Sequence, residues 1–358
     1  MKKNILVIYT GGTICTKIKD GKMSTDETAA SALTTLFDKS DSPYKDKVKF
    51  TDGKKFNILS ENMTVKKWNE IIKYFLTILP DINLYSGIII AHGTDTLAYT
   101  AALFSLLLKG IGIPVFFVSS NYPLFYENGE LHPKANGCAN FCAATECIAE
   151  GITPDVYATY QNPEDGKMYL HKAKNLIQCK IYDDNFYSCD AVDITDIGNV
   201  KSDVFRAELK SKSELLINRF QNDTLKNCVL KINPYVGLNY EMIALNSIKA
   251  VLHGTYHSGT VCSSSAISGA DHTHDTDSVL YLFEKCAAKN IPFYLSPSQR
   301  SESRTVYESI TDIENYTSNG QQIRFCYGDT DELIYAKLLI SYSLDMSEEE
   351  IKEFICYS

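Results

Sequence analysis

Two hydrophobic rhythms alternate along the chain. Residues 3–9 form a short β-rich run, while 87–91 (GIIIA), 113–118 and 156–160 are continuous apolar runs, as strands covered on both faces show. Between them the period changes. Within 63–79, apolar residues stand at Val65, Trp68, Ile71, Ile72, Phe75 and Leu79, the spacing of an amphipathic helix, with Thr64 placed to cap it. Residues 97–109 read as a second helix, stopped by Gly110. Strands alternating with helices predict a mainly parallel sheet with right-handed crossovers. In such sheets ligands bind beyond the carboxyl ends of the strands.

A polar stretch rich in lysine, serine and glutamate, 201–227, is the candidate linker. The pattern then resumes, with strands at 229–232, 250–252 and 293–295 and helices at 278–288 and 332–342. Ser347 with Glu350 forms a capping box for a last helix. The fold class is therefore α/β. A larger N-terminal domain, 1–200, carries a doubly wound, mainly parallel sheet, and a smaller C-terminal α/β domain spans 228–358. A chain of 358 residues is long enough for two such cores.

Composition narrows the partners. A net charge of -9 argues against nucleic acid or an anionic membrane as the main target. The N-terminal apolar run is cut by Gly11 and Gly12, too soon for a signal peptide, and no stretch approaches the roughly 20 residues of a membrane helix. A cytoplasmic location is expected. The 11 cysteines are scattered, and Cys138, Cys142 and Cys147 fall near helical spacing without a paired C-x-x-C. Free, buried thiols are expected, rather than disulfides or structural zinc.

Two strands end in threonine and glycine: Thr10-Gly11-Gly12-Thr13, and His92-Gly93-Thr94-Asp95-Thr96. The first alone reads as a tight turn needing positive φ, because the full G-x-G-x-x-G nucleotide pattern is absent. The second carries more chemistry. A threonine hydroxyl becomes a nucleophile when a base takes its proton and donors receive the oxyanion. Asp95 brings a carboxylate into the loop, and the next helix N-terminus offers amides. Against this stands a plain capping role for Thr94 or Asp95. Two other clusters weigh less. Residues 271–277 (DHTHDTD) have the residue types of a divalent-cation site, but the aspartates read better as caps of a helix beginning near Asp277. His257 and Ser258 adjoin in sequence, whereas Ser–His catalysis needs adjacency in space.

Taken together, YTGGTI on the first strand and HGTDT on a later one resemble the L-asparaginase family, in its bacterial cytosolic, type I-like branch. The resemblance runs over nearly the whole chain. Ser60-Glu61-Asn62-Met63-Thr64, 114–120, Asn136-Gly137, 156–161, 234–237, His253-Gly254-Thr255-Tyr256, 292–299 and Gly328-Asp329-Thr330-Asp331-Glu332 follow in family order. It implies hydrolysis of L-asparagine to L-aspartate and ammonia through a covalent acyl-enzyme, without metal or cofactor. It also implies a small-molecule amide substrate and a homodimer or dimer of dimers. By position Thr13 matches the nucleophile. Thr94 and Asp95 match the second threonine and its acidic neighbour, which bind substrate and belong to a threonine–lysine–aspartate relay. Ser60 matches the serine that holds the α-carboxylate. Gly12 and Gly93 are candidate substrate-binding residues, and backbone amides of their glycine-rich turns are expected to hold the oxyanion.

Three positions depart from the family pattern. Leu59 stands where an aspartate usually grips the substrate's α-ammonium, and Glu61, across Ser60, is the candidate replacement. Between Ile14 and Leu33 there is no tyrosine, although the family's flexible loop supplies one, and Lys22 or Met23 falls nearest its place. Counting back from Phe186 puts the relay lysine at Lys180, with Lys174 and Gln178 competing. These departures keep two alternatives open: an amidase acting on glutamine, a peptide amide or amidated tRNA, and a non-catalytic amino-acid-binding homologue.

Overall fold

The computed structural model describes residues 2–25, 27–196, 215–264, 274–298 and 307–357. The chain forms two compact units, Met1–Asp223 and Thr224–Ser358. Their boundary falls inside the stretch read as linker. Residues 201–214 of that stretch lie outside the described residues, and beyond them a 3-10 turn, Leu216–Gln221, buries Ile217 and Phe220 within the first unit.

In chain order the first unit runs β1 (Lys3–Gly11), a hairpin of β2 (Thr16–Lys19) and β3 (Lys22–Thr25), α1 (Glu27–Lys39), β4 (Val48–Ile58), α2 (Val65–Ile78), β5 (Gly87–Ala91) and α3 (Leu97–Leu107). It continues through β6 (Val115–Val118), α4 (Gly137–Glu150), β7 (Val156–Gln161), β8 (Met168–Lys172) and β9 (Val192–Asp193). The main sheet has the order β4-β1-β5-β6-β7-β8-β9. Its first five strands are parallel, β8 runs antiparallel to β7, and β9 antiparallel to β8.

The apolar runs sit mid-sheet because helices cover both faces. On one face Ile5, Val7, Ile89 and Phe116 pack with Leu33 and Phe37 of α1 and Phe141 and Cys147 of α4. Alternate residues Leu6, Ile8, Ile88, Ile90 and Phe117 point the other way and are also buried. There Phe117 meets Phe104 of α3, which meets Phe75 of α2, at ring-centroid distances of 6.4 and 5.5 Å. Thr64 caps α2 by accepting from Lys67 N–H at 3.3 Å. α3 ends at Leu107, two residues sooner than its pattern suggested, and Gly110 takes φ 86° beyond it.

The second unit runs β10 (Val229–Ile232), β11 (Ala250–His253), α5 (Val279–Ala287), β12 (Phe293–Ser298), α6 (Glu308–Asn315), a hairpin of β13 (Thr317–Ser318) and β14 (Gln321–Gln322), β15 (Arg324–Tyr327), α7 (Asp331–Ser343) and α8 (Glu348–Ile355). Its sheet, β10-β11-β12-β15, is parallel throughout. Val251, Phe283, Phe293, Leu295 and Phe325 form its core. Both arms of the capping box on α8 are made.

Asp275 and Asp277 do not cap α5. Ser278 does, its Oγ accepting from Leu280 N–H at 3.3 Å, because it alone directly precedes the first helical residue. Residues 271–273 lie outside the described residues, and His274 packs edge-on against Tyr316 and lies 3.6 Å from Glu284. Among the described residues no cluster of three or more potential metal ligands occurs. All 11 cysteines are free thiols, but only Cys15, Cys147, Cys228, Cys286 and Cys326 are buried. Among the described residues no helix is long and apolar enough to cross a membrane.

Candidate active site

β1 and β5 are neighbours in register, with Tyr9 beside Ala91, so the turns that follow them emerge side by side. They meet backbone to backbone. Gly12 has φ 76°, and a β-carbon added to it would fall 2.1 Å from Gly93 Cα. One added to Gly93 would fall 2.4 Å from Ser60 Oγ. Glycine is required at both positions for this approach. Thr13 and Thr94, each next in sequence to one of these glycines, flank the contact and are both half-buried.

Ser60 enters from the other neighbour of β1. Gly12 N–H donates to Ile58 O at the end of β4 at 2.9 Å, and the chain then turns through Ser60–Asn62. The buried Ser60 Oγ donates to Asp95 Oδ2 at 2.7 Å, and Thr96 Oγ1 donates to Ser60 O at 3.0 Å. A hydroxyl on a carboxylate is a charge-assisted bond, stronger than its neutral counterpart.

Two more side chains hold the Thr94 turn. His92 is fully buried, with Nδ1 2.7 Å from Gly93 O. Burial pushes its pKa down to about 4, against a weaker raising effect of the Gly93 bond, so the ring is neutral and donates from Nδ1. Gln178 Nε2 donates to Thr94 O at 2.8 Å, and its Oε1 accepts from Ala98 N–H at 3.1 Å. On the other turn, Thr16 Oγ1 donates to Thr13 O at 2.9 Å.

Gly12, Thr13, Ser60, Gly93, Thr94 and Asp95 thus gather at the carboxyl ends of β1, β4 and β5. Asp95 and Glu61 are exposed, and Leu59 is half-buried beside Ser60. Lys180, Lys174, Lys22 and Met23 are exposed as well. From the segment that holds Lys174 and Lys180, the side chain that reaches Thr94 is Gln178. Two contributors carried no assigned role in the sequence, His92 and Thr96. Their signal was position: a histidine before the glycine at a buried strand's end, and a third hydroxyl in the same loop. Beyond β6 and β7 lies a cleft of about 390 Å³ with Asn121, Asn136, Gln161 and Asp184 among its walls, a size usual for small-molecule pockets. Thr13 and Thr94 are not part of its lining.

A doubly wound sheet with two threonine turns joined at a glycine contact defines a class of α/β protein with a hydroxyl-rich site. The family model for the N-terminal part of asparaginase matches residues 4–209, and the chain belongs to the asparaginase family. A glutamyl-tRNA(Gln) amidotransferase subunit from Methanobrevibacter smithii is 26% identical over 301 residues, covering 82% of this chain and 62% of its own length. The like-named subunit from Pyrococcus furiosus is 27% identical over 246 residues, covering 67% and 52%. The chain thus spans less than two thirds of the length of these relatives. L-asparaginase I from Vibrio cholerae superposes with a TM-score of 0.68 at 21% identity, over 99% of this chain and 97% of that one. The thermostable L-asparaginase from Thermococcus kodakarensis gives 0.65 at 19%, over 98% and 96%. At these identities the likeness shows the fold.

Proposed function

We propose that the chain is an amidohydrolase that converts L-asparagine to L-aspartate and ammonia, with Thr13 as its nucleophile. The Gly12–Gly93 contact carries this reading, since it sets Thr13 and Thr94 on touching turns beside the Ser60–Asp95 pair. Thr13 Oγ1 attacks the side-chain amide carbon, and N–H groups of the Gly12 and Gly93 turns receive the charge on oxygen. The proton of the Thr13 hydroxyl passes to the amide nitrogen, the carbon–nitrogen bond breaks, ammonia leaves, and an acyl-threonine remains. Water then attacks that ester and frees the acid and Thr13. Asp95, anchored by Ser60, supplies the carboxylate that a substrate ammonium needs. We assign Gln178, rather than Lys180, to the site.

Leu59 favours a second reading, an amide other than free L-asparagine. It has no acceptor for an α-ammonium, and matching relatives bear the name of a glutamyl-tRNA(Gln) amidotransferase subunit. The same threonine chemistry would then act on glutamine or on an amide with a blocked amino group. Ammonia release from L-asparagine, L-glutamine and N-acetyl-L-asparagine separates the two readings. Thr13→Ala and Thr94→Ala should each lower release by roughly a thousandfold or more with the fold intact, the scale on which nucleophile removal acts. Undiminished release by both variants ends the threonine mechanism. Binding of L-asparagine without turnover by the unaltered protein would make it a sensor.

A further inference from the structure

The turn that carries Thr94 does not wind directly into α3. Thr94–Thr96 is a 3-10 turn in which Leu97 N–H donates to Thr94 O. Thr96, at the N-cap of α3, makes no side-chain cap, because its hydroxyl is committed to Ser60 O. Ala98 N–H is therefore one of the donors that a helix start leaves over. In a continuous α-helix it would donate to Thr94 O, four residues back. Instead a carboxamide from 80 residues away stands between them: Gln178 Oε1 accepts from Ala98 N–H, and Gln178 Nε2 donates to Thr94 O.

We propose that Gln178 is a positioning residue whose carboxamide is spliced into the hydrogen-bond ladder at the start of α3. The splice keeps the turn unwound, so that Thr94 and Asp95 stay in the site and do not coil into the helix. Its consequence for turnover rests on the amidohydrolase reading. Its consequence for the turn rests on the two hydrogen bonds alone.

A carboxamide suits the task because it offers one acceptor and two donors from a planar group, as a peptide unit offers one of each. A lysine there would supply donors alone, and an ionised glutamate acceptors alone. The arm that carries Gln178 is itself held. Leu176 and Phe186 are buried, and Ile177 N–H donates to Tyr187 O at 3.0 Å. Asn162 closes a reciprocal pair on the Phe186 backbone, at 3.0 and 2.9 Å. An anchored side chain loses little by being ordered, the requirement for supporting a reactive group.

The test compares the full chain with Gln178→Leu and Gln178→Glu. Exchange of the Ala98 amide hydrogen is followed, together with ammonia release from L-asparagine, L-glutamine and N-acetyl-L-asparagine across pH. In Gln178→Leu, Ala98 should exchange at least about tenfold faster, and kcat should fall roughly tenfold or more while KM changes less than about threefold. Gln178→Glu keeps the acceptor, so Ala98 should stay protected. It lacks the donor until its carboxyl is protonated, so its kcat should recover as pH falls, a rise the unaltered protein lacks. Thermal unfolding checks that both variants fold, and Gln178→Glu alone suffices if the leucine variant does not. Unchanged Ala98 exchange in Gln178→Leu, or a wild-type pH profile and kcat in Gln178→Glu, overturns the proposal. Should the unaltered protein hydrolyse none of the three amides, the amidohydrolase reading fails and Ala98 exchange decides the splice.

Discussion

A single methyl group probes the contact on which the site depends. Gly12 and Gly21 both have positive φ, 76° and 69°, but only Gly12 is crowded, since nothing lies within 4 Å of a β-carbon added to Gly21. Gly21→Ala should cost about 1 kcal/mol, the strain of φ alone. Gly12→Ala adds a clash with the Gly93 backbone that no side-chain motion relieves. It should cost more than about 3 kcal/mol or abolish folding of the first unit. Equal urea midpoints for the two variants would show that the turns are not held by this approach. Leu59 tests specificity at the same scale. Leu59→Asp puts a carboxylate next to Ser60, where a substrate ammonium can be paired. KM for L-asparagine should fall roughly tenfold, with no matching gain for N-acetyl-L-asparagine. A KM for L-asparagine unmoved by the substitution would remove Leu59 as the determinant.

Among elements, α2 and α3 share a buried polar bond, Trp68 Nε1 to Thr100 Oγ1 at 3.0 Å. Thr100→Val keeps the shape and removes the acceptor, leaving a buried indole N–H unpaired. The expected loss is about 1–3 kcal/mol, read as a lower urea midpoint at constant slope. Trp68→Phe in the same background should recover part of it, and a neutral Thr100→Val would mean the indole finds another partner. These helices, and β1, β5, β6 and β7, were legible in the sequence because burial on both faces writes itself as unbroken apolar runs. β4 was not. It lies at the sheet edge and alternates Lys49, Asp52, Lys54 and Asn57 with half-buried residues, so its only uninterrupted signal is at its buried ends, Val48 and Ile58. α4 hid for another reason: half of its 14 residues are alanine or cysteine, which contrast weakly with their neighbours. The site divides in the same way. The threonine turns were readable as local motifs, whereas the Ser60–Asp95 and Gln178–Thr94 bonds join residues 35 and 84 apart, and no local pattern encodes such pairs.

At the scale of the whole molecule the buried histidines set an acid limit. His92 and His171 in the first unit and His253 in the second are all held near a pKa of about 4, in each case chiefly by burial. Hydrogen bonds fit the neutral ring: Nδ1 of His253 lies 2.6 Å from Gly254 O and its Nε2 2.7 Å from Tyr240 Oη, so one nitrogen donates and the other accepts. Unfolding returns each ring to water, where it titrates near 6.5. Between about pH 4 and 6.5 the unfolded chain therefore binds more protons than the native one, and stability must fall as pH falls through that window. Each ring contributes a slope of roughly 1.4 kcal/mol per pH unit there, and on the order of 3 kcal/mol in all. Carboxylates act lower down. Asp193, held to about 2 mainly by the Thr195 hydroxyl, enters only as pH drops below about 4, and its exposure shrinks the effect. Urea unfolding from pH 7 to 4 should thus show a steep loss above the carboxylate range. His253→Asn, which cannot titrate, should flatten the slope of the second unit by about one proton while leaving the first unit's slope unchanged. A wild-type stability that is level between pH 6.5 and 4.5 would mean that these rings already exchange protons in the folded chain.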